Sequence, residues 1–424
     1  MVRSIAKAYL EAYGGLSKEV WVLSFALFVN RCGSMVLAFL TLYLTTNLNF
    51  TINEAGAILS VYGLGSVGGA FLGGKLIKPL GAVRTQIVGF FLSVPLFLLV
   101  PQFTTWTGVA ISMFFLSLCV ESVRPASNVA ITQFTPSELH TRAFGLQRMA
   151  VNLGFSIGPA VGGFLAEVDY VWLFWVDGIS TALGAAVLLW YFGFRKYAKG
   201  GDAAKRQKQA EQNQSTGSPL RDLKFILFLL LMLSVAVIFF QFHATYPKYL
   251  ADEYRFSEPE IGLLFSVNTI IIVIFEMLLV NYVRRFSLLR TIGWGCFLAC
   301  LGFGILPLAQ GYLFAALSMT IITTGEMFMF PLATGFVAKR SSGRDQSSYM
   351  SWYAMMYSVS CVIAPLIGAA VYDFDHHLFW YESLGVGCLV LIGFYWLGER
   401  VSLPVDRELT SVEPVIEKPE EQLV

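Results

Sequence analysis

Long apolar runs separated by short polar breaks occupy almost the whole chain. Twelve of these runs reach the length of about 20 residues that a helix needs to cross the hydrocarbon core of a bilayer. We therefore predict an all-α membrane protein with twelve transmembrane helices, numbered here as spans one to twelve. The predicted spans are 20–46, 53–77, 81–103, 105–134, 142–167, 169–194, 221–250, 258–283, 287–309, 311–339, 347–373 and 376–400.

Basic residues collect in every second break between the spans. The break after the second span carries Lys75, Lys78 and Arg84, whereas the breaks at 47–53 and 101–105 carry no lysine or arginine. Because loops rich in lysine and arginine stay in the cytoplasm, we predict that both termini are cytoplasmic. Short outer loops and a polar N-terminal stretch without a cleavable signal favour the inner (plasma) membrane of a cell.

The polar segments divide the chain into five parts. Residues 20–194 and 221–400 each hold six predicted spans, and 195–220 form a basic linker that we expect to be cytoplasmic and disordered. Residues 1–19 fit either a short helix on the membrane surface or a plain tail. Residues 401–424 are acidic and predict a disordered cytoplasmic tail.

The composition agrees with a membrane protein and argues against other classes. The 424 residues are 56% hydrophobic and 13% charged, whereas ordinary soluble domains carry about 25% charged residues. A net charge of +1 gives no indication of a nucleic-acid partner. The four histidines and six cysteines are scattered, so we predict neither a metal nor a cofactor. No nucleophile–base group indicates an enzyme.

The two halves of the chain repeat each other weakly in one ungapped register. The offset between the halves is 206 positions, as between Phe50 and Phe256. Further pairs at this offset are Tyr43 and Tyr249, Glu54 and Glu260, Gly89 and Gly295, Pro125 and Pro331, Pro159 and Pro365, and Gly162 and Gly368. Six spans, a linker and six more spans is the plan of parallel-repeat transporters, which hold substrate near the midplane. We predict two pseudo-symmetric six-helix bundles.

Several ionisable side chains lie inside the apolar spans. An ionised side chain at the bilayer centre costs about 2.5–3.5 kcal/mol on insertion scales, so such residues mark transport pathways or paired sites. Glu121 and Arg124 are three residues apart and therefore share a helix face. They form either a structural ion pair or a proton carrier, in which the arginine releases the carboxylate when substrate arrives.

Glu326 has no opposite charge near it in the sequence. A lone glutamate among apolar residues suits a proton carrier, and Arg31 is its expected partner across the cavity. Glu276 and His243 are further candidates for proton coupling. For both of them an ordinary buried role is an equal alternative.

The fifth span contains small residues that would let another helix approach closely. The run is Gly154-x-x-x-Gly158-Pro159-x-x-Gly162-Gly163. It matches, position by position, the antiporter motif of the proton-coupled drug-efflux branch of the major facilitator superfamily. Arg124 matches the buried arginine of that family, which is thought to help proton movement. Over residues 20–400 the chain resembles this branch.

The resemblance implies that spans one, four, seven and ten line a central cavity. The family places the sixth span at the periphery, so we expect Asp177 to be structural. Arg148 is expected to meet lipid headgroups or the other half of the protein. The residues that we expect to bind substrate are Arg31, Tyr62, Asn128, Gln241, Asn268, Glu326, Trp352, Tyr353 and Tyr357. Packing remains an alternative for each of the polar aromatic and amide side chains.

The loop after the second span departs from the family pattern. The family carries an aspartate and then an arginine where this chain has Lys78 and Pro79. The glycines Gly74 and Gly81 are retained, and the basic Arg84 follows in the same loop. In the family this loop is a latch that steadies the outward-facing state. Gating must therefore differ here.

The sequence leaves three functions to be distinguished. The first is proton-coupled export of small amphipathic organic molecules by alternating access, from a monomer in the bilayer. The second is proton-coupled import of a polar metabolite, peptide, nucleoside or siderophore-like solute, which the altered loop and the buried charges leave open. The third is a receptor without transport, which lacks support because the chain has no sizeable soluble domain.

Overall fold

A computed structural model describes residues 14–136, 139–193, 219–283, 286–341 and 346–400. Within these ranges the chain is helical and contains no β-strand, and twelve helices are long and apolar enough to cross a membrane. The protein is therefore a multi-pass membrane protein, as predicted. Most of the predicted N-terminal segment and linker, and all of the predicted tail, lie outside the described residues.

The spans agree with the predicted ones to within a few residues, except at the seventh. Spans one to six are Lys18–Asn47, Ile52–Leu80, Ala82–Gln102, Trp106–Gln133, Arg142–Val168 and Val171–Phe192. Spans seven to twelve are Leu223–His243, Glu258–Glu276, Leu288–Leu308, Tyr312–Arg340, Ser348–Phe374 and Leu378–Arg400. The helices of the fifth, eighth and eleventh spans extend over His140–Val168, Glu258–Val283 and Gln346–Phe374.

The second and eighth spans begin with the same capping arrangement. Thr51 caps the second span, and its backbone N–H donates to the Glu54 carboxylate at 2.8 Å. At the eighth span the backbone N–H of Ser257 donates to the Glu260 carboxylate at 2.9 Å. These bonds satisfy backbone N–H groups at the start of each helix. The pairs are 206 positions apart, so the repeat in the sequence is also a repeat in the backbone.

The helices of the first and seventh spans are both interrupted. The first consists of helix Lys18–Cys32, helix Val36–Leu42 and a π-helical turn over Tyr43–Asn47. Helix Leu223–Phe239 of the seventh span ends in a 3₁₀ turn and a new helix covers Tyr246–Asp252, so the predicted span over 221–250 runs past the break. The breaks at about 33 and 240 are again one repeat apart.

The loops divide between two sides of the molecule. The linker side carries the connections after spans two, four, six, eight and ten, and the short-loop side carries the others. On the short-loop side the second span packs on the eleventh, where Gly63 faces the Cys361 carbonyl. The fifth span packs on the eighth, where Gly262 faces the Pro159 carbonyl. Towards the linker side, Gly74 has no neighbour within 4 Å of the position of a Cβ atom.

Two polar bridges join the halves on the short-loop side. The Tyr170 hydroxyl donates to the Glu258 carboxylate at 2.6 Å, and the Asn53 amide donates to the Asp373 carboxylate at 2.9 Å. Burial, and then the neighbouring Glu258, raise the pKa of Tyr170, so its hydroxyl keeps the proton that it donates. The structure is therefore closed towards the short-loop side.

A carboxylate clamp holds the linker side of the second half. Asp222 caps the helix of the seventh span and accepts two hydrogen bonds from Arg340, at 2.9 and 2.8 Å. The Tyr349 hydroxyl donates to the same carboxylate at 3.0 Å. Burial raises the pKa of Asp222, but the bonds from Arg340 outweigh burial and bring the pKa to about 2. Spans seven, ten and eleven are thereby tied together.

Candidate functional site

A cavity of about 400 Å³ lies at the broken part of the first span. Its wall is mostly apolar, with a band of ionisable and hydroxyl side chains on the side of the first half. The second half contributes Phe240, His243 and Cys361. The polar and ionisable groups of the first half are Asn30, Arg31, Ser34, Tyr62, Ser66, Ser93, Glu121, Arg124, Gln147 and Asp177. The cavity is therefore amphipathic.

The break in the first span places Arg31 in the cavity wall. Helix Lys18–Cys32 ends one residue after Arg31, and the Asp177 carboxylate accepts a 3.4 Å hydrogen bond from the free backbone N–H of Val36. Asp177, which we expected to be structural, thus supports the break and also reaches the cavity wall. The sixth span can come this close because Gly33 has no side chain, and a Cβ there would lie 1.8 Å from Ser180 Oγ.

The fourth span contributes the second charged group. Arg124 Nη2 lies 2.8 Å from Glu121 Oε2, with the arginine side chain 67% exposed and the glutamate side chain 11% exposed. The predicted pair therefore exists and lines the cavity. Tyr62 of the second span and His243 of the seventh line the same cavity, so five of the residues predicted for proton coupling or substrate binding meet here, together with Pro159 of the glycine run.

The glycine run of the fifth span packs between the first span and the other half. A Cβ at Gly154 would lie 2.5 Å from Arg31 Cβ, and a Cβ at Gly162 would lie 2.6 Å from Met35 Cβ. Gly158 faces the carbonyls of the first-span break, and Gly163 faces the carbonyl of Glu258 in the second half. These glycines allow the first span to approach. Pro159 presents its carbonyl to Gly262.

Glu326 lies midway along the tenth span, outside the cavity lining. Its carboxylate accepts a 3.0 Å hydrogen bond from the Asn268 amide, which also donates to Thr323. Arg31 was its expected partner, but the carboxyl groups that line the cavity together with Arg31 are Glu121 and Asp177 of its own half. The reason is the position of Arg31 at the break, where it faces the fourth and sixth spans.

A cross-half ion pair lies near Glu326. Arg148 of the fifth span pairs with Glu276 of the eighth span, and the arginine side chain is 49% exposed. At about 1.5 Å rise per residue both lie roughly 10–12 Å from the linker-side ends of their helices, His140–Val168 and Glu258–Val283. Of the two contacts that we predicted for Arg148, lipid headgroups or the other half of the protein, the structure shows the second.

The remaining predicted substrate residues lie away from the cavity. Gln241 is 0% exposed and donates to the Ala364 carbonyl at 2.6 Å, so it joins the seventh-span break to the eleventh span. Tyr353 and Tyr357 hydrogen-bond each other at 3.0 Å within the aromatic core of the second half, where Trp352 also packs. Asn128 is exposed and accepts a 3.4 Å hydrogen bond from the cavity residue Gln147.

The loop after the second span turns sharply at one glycine. Gly81 has φ +87°, a left-handed conformation that favours glycine. Lys78 is exposed and Arg84 is half-buried. Lys78, which stands in place of the family's aspartate, forms no ion pair with any residue in the described ranges. The altered loop therefore provides no carboxylate latch at this position.

Phe155 and Cys361 are cavity residues that the sequence analysis did not propose. The Arg31 guanidinium carbon lies 5.2 Å from the centroid of the Phe155 ring. Spacing from the glycine motif could have indicated Phe155, since it follows Gly154 directly. Nothing in the sequence distinguished Cys361 from the other thiols. In the described ranges no three His, Cys, Asp or Glu side chains come together to hold a metal ion.

Comparison with known proteins relates the chain to transporters. The family model named Major Facilitator Superfamily matches residues 23–365 and 227–418. The quinolone resistance protein NorA of Staphylococcus aureus (strain MSSA476) is 24% identical over 380 residues, which cover 88% of this chain and 94% of NorA. The uncharacterized MFS-type transporter YqjV of Bacillus subtilis (strain 168) is 21% identical over 359 residues, covering 82% and 84%.

Solved transporter structures share the fold. A POT family transporter in complex with 5-aminolevulinic acid has a TM-score of 0.77 at 17% identity, covering 92% of this chain and 97% of that one. The nucleoside transporter NupG has a TM-score of 0.69 at 16% identity, covering 90% and 99%. The relation to NorA supports the drug-efflux branch, as the glycine run indicated. Since the family model spans most of the sequence, this chain is a membrane transporter, not an enzyme, and belongs to the Major Facilitator Superfamily.

Proposed function

We propose that the protein exports small amphipathic organic molecules from the cytoplasm in exchange for protons. The observation that carries this proposal is the amphipathic cavity, in which an apolar wall meets the charged group of Arg31, Glu121 and Arg124. An apolar body with a polar or charged end fits such a surface. The relation to proteins named for quinolone resistance supports export as the direction.

The proposed proton carrier is Glu326. It receives hydrogen bonds only from neutral groups in the described structure, so it can bind a proton without breaking an ion pair. Glu121 and Glu276 each form an ion pair with an arginine, and this pair must break before the carboxylate binds a proton. One proton crossing roughly 100 mV releases about 2.3 kcal/mol, which supports a concentration ratio of about fifty.

The basic loops favour a cytoplasmic linker side. With that orientation in an inner membrane, the closed short-loop side faces outward. The described conformation then receives substrate from the cytoplasm. Export would require the contacts at Gly63 and Gly262 to open while the linker side closes.

The sign of a pH change tests exchange directly. Purified protein is reconstituted in weakly buffered vesicles that contain a pH-sensitive dye, with the membrane potential clamped. A quinolone is then added outside. In exchange, substrate enters while protons leave, so the vesicle interior becomes alkaline. In co-transport both enter and the interior becomes acidic. Either orientation of the protein gives the same sign.

A matched pair of variants assigns the proton carrier. Glu326→Gln keeps the hydrogen bond with Asn268 but cannot bind a proton, and we expect it to abolish the pH change. Glu382→Gln makes the same chemical change at an exposed position of the twelfth span and should leave the pH change intact. A normal pH change in folded Glu326→Gln would remove this residue from the mechanism.

Import remains the second candidate function, because of two observations. Lys78 replaces the aspartate of the gating loop, and the cavity carries four ionisable groups that could bind a polar solute. An acidic change in the vesicle interior on adding a polar metabolite would favour import over export.

A further inference from the structure

Two polar atoms of the cavity lining are buried without a hydrogen-bond partner among the described residues. They are Nε of Arg31 and Nδ1 of His243. The first belongs to the broken first span and the second to the broken seventh span, so one comes from each half. A buried polar group without a partner costs free energy, and such groups at a cavity wall mark the position of a ligand's polar atoms.

The two carboxyl groups that line the cavity beside Arg31 already have other partners. Glu121 pairs with Arg124 at 2.8 Å, and the Asp177 carboxylate accepts from the Val36 backbone N–H. None of the described residues forms an ion pair with Arg31. The Arg31 guanidinium is therefore a cation in the cavity wall that has no paired anion among the described residues.

The surroundings also fix the direction of the guanidinium. Its carbon lies 5.2 Å from the Phe155 ring centroid, and Gly154 leaves room for its stem. A planar guanidinium held in this way can bind both oxygens of a carboxylate. Aromatic and apolar side chains beyond it would cover the remainder of a ligand: Phe90, Phe97, Met113, Leu116, Val120 and Phe240.

We propose that the substrates are aromatic or other apolar carboxylic acids whose carboxylate binds Arg31, with His243 available to a hydrogen-bonding group elsewhere on the ligand. This inference names the substrate class for the cavity on which the proposed function rests. Arg31 is then the residue that determines specificity. Glu326 has no part in binding.

Binding to purified protein in lipid nanodiscs tests this without transport. The probes are pairs of acid and amide that differ only in charge: 2-naphthoate with 2-naphthamide, and biphenyl-4-carboxylate with its amide. We expect each acid to bind at least tenfold more tightly than its amide. Arg31→Gln should remove this preference, and Arg31→Lys, which keeps the charge but not the planar fork, should retain part of it. Arg290→Gln, far from the cavity, should retain all of it.

Several outcomes would overturn the inference. These are equal binding of acids and amides, no binding of any pair, displacement of the acid by sulfate at matched ionic strength, or an unchanged preference in Arg31→Gln. Thermal melting checks that each variant is folded, and Arg31→Lys serves as the second variant if Arg31→Gln is not. The binding assay uses no proton gradient, so its result can be interpreted even if the protein does not exchange substrate for protons. In the same way, the vesicle assay can be interpreted even if the protein shows no preference for acids.

Discussion

The contact between the fifth and eighth spans gives the sharpest test of the described conformation. A Cβ added at Gly262 would lie 2.2 Å from the Pro159 carbonyl oxygen, whereas ordinary contacts begin near 3.4 Å. Gly262→Ala therefore requires the two backbones to separate locally by about 1.2 Å, the difference of these distances. Overpacking of a tight contact costs about 1–3 kcal/mol.

This cost falls on only one of the two transport states. The contact is present in the described conformation, and the proposed alternating access requires it to separate when the short-loop side opens. At 1.4 kcal/mol per tenfold, the equilibrium should shift by about 5- to 150-fold towards the state open on the short-loop side. Gly56 contacts the Pro365 carbonyl at the equivalent position of the other interface, so Gly56→Ala should act in the same direction.

Pulsed dipolar spectroscopy measures this shift. Spin labels are placed at Thr104 and Ala309, exposed positions of the two halves on the short-loop side, in a background without the native cysteines. We expect the population at longer distance to grow in Gly262→Ala. Gly335→Ala is the control, because a Cβ there meets nothing within 4 Å. If Gly262→Ala folds and its distance distribution matches that of the control, the assignment of this contact as the closed gate is wrong.

Three further predictions follow from other contacts. Arg148→Gln should reduce exchange by breaking the cross-half pair, and the charge swap Arg148→Glu with Glu276→Arg should restore it in the vesicle assay. Asp222→Asn should lower the free energy of unfolding by on the order of 2 kcal/mol at pH 7. Because the pKa of Asp222 is lowered to about 2, this contribution is present above pH 4 and lost as pH falls towards 2, so chemical denaturation of the two proteins should converge in acid. Gly154→Ala should weaken acid binding by displacing Arg31, without altering amide binding.

The length of the hydrophobic runs was sufficient to predict the twelve spans, and matching residues 206 positions apart predicted the repeat. They did not predict the breaks in the first and seventh spans, because an apolar run does not reveal a break held by tertiary bonds. Gln241 shows the consequence. Its amide bonds to the Ala364 carbonyl and fills the space beside Gly368, so it serves the break and not the cavity. Helical spacing alone assigns a face, but a break changes the direction of every side chain that follows it.

The sequence also did not predict which side chains of distant spans would contact each other. Asp177 reaches the cavity only because Gly33 lets the sixth span approach, and Glu326 is held by an amide from the eighth span. The glycine run was identified by its motif, yet its physical role became clear only from the first-span atoms that face Gly154 and Gly162. A single sequence predicts which residues are unusual, whereas packing decides which of them meet.

The arrangement separates the proposed binding and coupling groups in space. Arg31 and the Glu121–Arg124 pair line the cavity in the first half, whereas Glu326 and the Arg148–Glu276 pair lie outside its lining. A proton on Glu326 therefore cannot exclude substrate by occupying the same site. Coupling must then pass through the packing of the fifth span, which contacts Arg31 at Gly154 and the eighth span at Arg148. Substrate and proton would each favour one of two arrangements of the fifth span. Binding at two separate sites can be coupled when both ligands shift the same two-state equilibrium.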